Sequence, residues 1–230
     1  MKDELLDRLH RCYAAIDAAV EGDLSKFPPK IIAGEKQFGL YQDFLDGLTE
    51  PQISNLAHTL IHNIANLRDH LRRWAGKNGL DQKDIERTIA GCAALQMIID
   101  LSNNDKHGYP SRDGGHSKRS PKLLDVKRVL RMSAGPVAGL GIAIVFMPTG
   151  PKQIASGGGF SQVLVTGSVV DGSGAPLGDL YELGIEALKA WERQFAAFGI
   201  GSGQYNSRLK RSAKQLRCRV PVALRAPALA

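Results

Sequence analysis

Cysteine is scarce in this 230-residue chain. Cys12, Cys92 and Cys218 stand far apart, with no C-x-x-C pair among them. That spacing excludes a zinc ribbon and a disulfide framework. Long apolar runs are lacking too. The longest, Ala134 to Met147, is interrupted by Gly135, Pro136, Gly139 and Gly141, and it is shorter than the ~20 residues a membrane helix needs. The start, Met1-Lys2-Asp3-Glu4, is charged and has no apolar core behind it, unlike a signal peptide. A cytoplasmic protein with no membrane partner is expected. Familiar catalytic signatures are missing as well: no G-x-S-x-G elbow, H-E-x-x-H pair or dinucleotide fingerprint occurs. The glycines of Ser156 to Gly159 are followed by no G-K-[ST], so they make no phosphate loop. No cofactor is expected.

What is present is an ordinary globular composition, 43% hydrophobic and 23% charged. It suits one large domain or two small ones and excludes a wholly disordered chain or a collagen-like fibre. The net charge of +7 first suggests nucleic acid. Its position changes that reading. From Gln204 to Ala230 the chain carries Arg208, Lys210, Arg211, Lys214, Arg217, Arg219 and Arg225 and no acidic residue; without those seven, basic and acidic residues balance at 23 each. The basicity belongs to a tail, expected to be disordered or to bind RNA through charge alone.

Hydrophobic spacing sets the expected fold. Leu5, Leu6, Leu9, Cys12, Ile16 and Val20 form a helical stripe over Lys2 to Val20, broken by Phe27-Pro28-Pro29. A weaker second helix is expected from Ile31 to Leu48, with Phe38, Tyr41, Phe44 and Leu45 on its face. Thr49-Glu50-Pro51-Gln52 has the chemistry of a helix start. The helix it opens runs to about Trp74, with Leu56, Leu60, Ile64, Leu67, Leu71 and Trp74 on the core face. After the short turn Gly76 to Gly79, Asp81 caps a fourth helix reaching about Asn103, so these two helices should be antiparallel.

Beyond His107 the character changes. Residues 108–122 read as a basic loop, and strands are expected at Leu123 to Met132, Val137 to Phe146 and Phe160 to Val170. Asp171 to Gly174 makes a turn, and Asp179 to Phe198 a closing helix striped by Leu183, Ala187, Ala190, Trp191 and Phe195. The expected fold is α+β, a single domain over residues 1–200. It is mainly a helical bundle (1–107), with a small antiparallel three-stranded meander (123–170) inserted before the last helix (179–198). Residues 204–230 lie outside it.

Two groups of side chains carry candidate chemistry. His58, His62 and Asp69 share the polar face of the third helix; His at i and i+4 can chelate a metal with a carboxylate in support. Thr59 stands where an H-E-x-x-H site has Glu, and a solvated or inter-helix polar face is the plainer reading. Beside them, Arg68 and Asp69 can pair and pin neighbouring helices. The second group ends the fourth helix: Asn103, Lys106 and His107, at i, i+3 and i+4, next to basic Arg112, Lys118 and Arg119. His moves protons near neutral pH, Lys neutralises a phosphate, and Asn orients it. The antiparallel pairing should bring His107 near Asn55 and His58 and leave Arg68 about 20 Å away. A satisfied helix end is the plainer reading here.

A bundle of about four helices, with an N-x-x-K-H turn (Asn103 to His107) ending a core helix and Leu67-Arg68-Asp69-His70-Leu71 on its neighbour, resembles the HEPN superfamily of prokaryotic helical domains. It also resembles uncharacterised bacterial proteins that join such a helix and turn to a small sheet. The resemblance covers residues 50–108 and the Ala187 to Phe198 segment. It implies an RNA-binding or RNA-cleaving protein of toxin or defence type, acting as a pair of chains. Nuclease members share an R-x4–6-H motif. Here Ser102 stands where Arg would precede His107, and no Arg has a His five to seven places on. Two alternatives stay open: a non-catalytic helical module that binds a protein partner or itself, and a metal-dependent enzyme using His58, His62 and Asp69.

Overall fold

The computed structural model describes residues 2–33, 38–110, 112–133, 142–147, 150–155 and 159–200. The basic tail therefore lies outside the described residues. The protein is mixed α+β and divides into two compact units, one built from Met1–Arg131 and Gln162–Ser202, the other including Met132–Ser161.

Among the described residues, five α-helices carry the first unit: α1 (Lys2–Ala19), α2 (Glu50–Lys77), α3 (Lys83–Ala90), α4 (Ala93–His107) and α5 (Leu180–Ala197). The stripes read from the sequence are the buried faces. Leu5, Leu9, Cys12 and Ile16 of α1 are buried, as are Leu60, Ile64, Leu67, Leu71 and Trp74 of α2, while Leu6, Leu56 and Val20 (just past the end of α1) are half-buried. At α2's first turn the Gln52 side chain accepts from the Thr49 backbone N–H at 2.8 Å, which satisfies a donor the helix leaves free. On α5, Leu183, Ala187, Ala190, Trp191 and Phe195 are all buried. Its indole Trp191 Nε1 donates to the Ile64 carbonyl of α2 at 2.9 Å. That bond settles the one polar atom of the largest core side chain.

Two expectations fail in this unit. The helix expected from Ile31 to Leu48 is a hairpin, β2 (Lys30–Ala33) against β3 (Phe38–Tyr41), with Lys30 opposite Tyr41 and Ala33 opposite Phe38. β-branched Ile31-Ile32 favour strand, and Gly34 and Gly39 weaken any helix through this segment. The fourth helix is also broken. Cys92 takes an extended backbone (φ −134°, ψ 102°) between α3 and α4. The Gln96 amide then donates to the carbonyls of Ile89 and Ala90 at the end of α3, at 3.1 and 2.9 Å, and the Cys92 N–H also donates to the Ile89 carbonyl, at 3.2 Å.

The sheet also differs from a three-stranded meander. β7 (Phe160–Val170) lies between β1 (Val20–Glu21) and β4 (Lys122–Ser133), and β8 (Pro176–Asp179) pairs antiparallel with β7's end, Ser168 opposite Asp179. This makes four strands. Val163, Leu164, Val165, Thr166 and Val169 of β7 are buried, as a central strand covered on both faces requires. The middle expected strand belongs elsewhere. In the second unit, β5 (Ile142–Met147) pairs with β6 (Gly150–Ala155) as a hairpin, Ile142 opposite Ala155 and Met147 opposite Gly150. Among the described residues, no helix is long and apolar enough to cross a membrane.

Candidate functional site

The last two turns of α4 carry different chemistry on opposite sides. At 100° per residue, Ser102, Asp105 and Lys106 share one side, and Asn103, Asn104 and His107 the other.

The first side meets α2. Buried Ser102 Oγ lies 2.9 Å from His62 Nδ1, and Asp105 Oδ2 lies 2.8 Å from His62 Nε2. Asp105 Oδ1 is 3.6 Å from His58 Nδ1. Contacts that pair 58 with 105 and 62 with 102 run in opposite senses, so α2 and α4 are antiparallel. His58 Nδ1 is shielded from solvent and has no hydrogen-bond partner among the described residues. Lys106 Nζ reaches the Asn66 side chain at 2.9 Å. The carboxylate beside the two histidines is thus Asp105. Asp69, expected in that place, accepts instead from its neighbour Arg68 Nε at 3.0 Å.

The other side opens on a cleft of about 880 Å³. Asn103, Asn104 and His107 line it from α4; Gly108, Pro110, Asp113, Gly115, His116 and Lys118 line it from the loop that follows. The loop's shape starts at Asp100, a fully buried carboxylate one turn back. It accepts from the backbone N–H groups of His116 and Ser117, both at 2.7 Å. Such close approach requires Gly115: its φ is +72°, and a Cβ there would lie 2.4 Å from Asp100 Oδ1. Asn104 Nδ2 donates to the Pro121 carbonyl at 2.8 Å, fixing the loop's far end.

Asp113, Lys118 and Ser120 all sit at positive φ, 56°, 59° and 46°. Non-glycine residues held there cost about 1–3 kcal/mol each, and they persist only where surroundings over-determine them. The Asp100 clasp does so. A turn from Asp171 supports the loop from outside, its Gly172 N–H donating to the Arg119 carbonyl at 3.1 Å. The Asp171 carboxyl is held below the usual carboxylate range by the Ser173 hydroxyl, then by the N–H groups of Ala175 and Ser173, with Arg119 adding its charge.

Of the expected site residues, Asn103, His107 and Lys118 line the cleft. Lys106 does not, because it turns to Asn66. Arg119 is not in the lining, and the Arg112 side chain lies outside the described residues. His58 is not in the lining either: Asp105, rather than His107, is what it faces. The residue missed by sequence reasoning is His116. Arg68 Nη1 lies 3.2 Å from its Nε2. Arginine has only donors, so in this contact His116 Nε2 accepts and its proton sits on Nδ1. The distance of about 20 Å expected for Arg68 was from His107; the histidine that Arg68 meets is His116. Its signal was available: His116 follows Gly114-Gly115, glycines that let a backbone approach a buried group.

Comparison with known proteins finds no matching family, no similar curated protein and no similar solved structure. The site must be read on its own chemistry.

Proposed function

We propose that the cleft between the end of α4 and the 108–121 loop binds and cleaves RNA. The observation that supports this most is the convergence of two histidines, His107 and His116, on one open cleft with Lys118 and Asn103, with Arg68 in contact with His116. RNA cleavage without a metal needs two groups that move protons in opposite senses near neutral pH. His116, whose Nε2 acts as acceptor, takes the 2′-hydroxyl proton once Arg68 turns from it to the phosphate. The 2′-oxygen attacks phosphorus, the bond to the 5′-oxygen breaks, and protonated His107 supplies that oxygen's proton. A cyclic 2′,3′-phosphate remains. Lys118 and Arg68 offset charge on the phosphate and Asn103 orients it, against the opposing charge of Asp113. This retains the HEPN-like, RNA-directed reading in altered form: the Arg and His meet through space, from α2 and the loop, with no R-x4–6-H spacing in the chain.

The test is incubation of the purified full chain with labelled RNA in EDTA, beside His107→Ala and His116→Ala. Cleavage by the unmodified protein is expected, falling about 100-fold or more in each variant. No cleavage, or full activity in both variants, ends this reading.

A further inference from the structure

His58, His62 and Asp105 take no part in that cleft, yet they are assembled as a metal site is. We infer that they bind one divalent transition ion of the zinc class, joining α2 to α4 through the ion. This site is separate from the proposed RNA cleft and does not depend on it.

One ligand atom from each residue lies within 4.8 Å of the others. Around a tetrahedral zinc with ligands at about 2.0–2.1 Å, neighbouring ligand atoms stand about 3.3 Å apart. The 3.6 Å between His58 Nδ1 and Asp105 Oδ1 is close to that value and too long for a hydrogen bond. His58 Nδ1 is hidden from water, faces the Asp105 carboxylate and has no hydrogen-bond partner among the described residues, so its lone pair is available to a cation. The 2.8 Å between His62 Nε2 and Asp105 Oδ2 is a direct bond that the ion would replace.

A ligating histidine usually has its other nitrogen fixed by a hydrogen bond. Buried Ser102 does this for His62, lying 2.9 Å from Nδ1. A hydroxyl both donates and accepts, so Ser102 supports either tautomer. With the ion bound, Nδ1–H donates to Ser102 Oγ and Nε2 faces the metal. Half-exposed His58 and exposed Asp105 leave the fourth position to water. Two imidazoles and one carboxylate suit zinc and its neighbours better than magnesium or calcium, which prefer all-oxygen shells.

The test uses the untagged full chain, stripped with EDTA and returned to buffer containing magnesium. Zinc is titrated by calorimetry, and cobalt by the visible absorption of its four-coordinate form. Expected are one site per chain, its loss in His58→Ala and in Asp105→Asn, and a weakening of about 10- to 100-fold in Ser102→Ala. Asp105→Asn keeps the side chain's shape, so loss of binding there is not loss of the fold. His116→Ala should bind as the unmodified chain does. No zinc heat and no cobalt band, or undiminished binding in both His58→Ala and Asp105→Asn, overturns the site. Zinc binding without RNA cleavage in EDTA would keep this inference and end the other.

Discussion

Two sides of one helix end differ in how they are held. On one, Ser102 and Asp105 meet α2 through side chains alone, and Lys106 reaches Asn66. On the other, the Asn103 and His107 side chains face open space, and the wall opposite is a loop whose backbone is bonded to a buried carboxylate. The first arrangement is a seam. The second holds a loop in strained conformations around a space a ligand can enter, which is where functional groups are placed when rigid elements support them. Roughly 150° around the axis of α4 separates the two.

The sharpest way to break this contrast is to remove the clasp. Asp100→Ala leaves two inward-facing N–H groups without an acceptor, and its cost should be about 3 kcal/mol in denaturant unfolding. Gly115→Ala should act in the same direction, because the added methyl overlaps the Asp100 carboxylate and the backbone sits at φ +72°. A change below about 0.5 kcal/mol for Asp100→Ala would mean that the loop does not depend on it. On the seam the effects should be smaller. Ser102→Ala removes one hydrogen bond and should cost about 1 kcal/mol, while Lys106→Ala, at an exposed position, should stay within about 0.5 kcal/mol. Smallest of all are the cleft histidines. Exposed His107 and His116 should each be replaceable by Ala with an unchanged melting temperature, because exposed side chains add little to packing.

How much of this was legible in the sequence depended on which interaction decided each element. Helix faces were readable because burial alone sets them: Leu60, Ile64, Leu67, Leu71 and Trp74 repeat at helical spacing. The hairpin at Lys30–Tyr41 was not, since Phe38, Tyr41, Phe44 and Leu45 also fit a helical stripe and only Ile31-Ile32 and the glycines argue against it. The four-stranded sheet was hidden because β1 is two residues long and its partner β7 lies far along the chain. At the site, the end of α4 could be found from its polar cluster, and its antiparallel pairing with α2 from the short turn. Asp105 could have been placed beside His58 by that same pairing. The role of Asp100 could not: a carboxylate in an apolar helix names no partner until the loop is folded over it.

That RNA binds the cleft side of α4 and not the seam is our central proposal. It is tested most directly by following the imidazole nitrogens in NMR spectra while a short RNA with 2′-O-methyl groups, which cannot be cleaved, is added to the EDTA-treated protein. The His107 and His116 resonances should move together as the RNA binds, and those of His58 and His62 should stay in place. If His107 and His116 do not respond, or if the response falls on His58 and His62 instead, the cleft does not bind RNA.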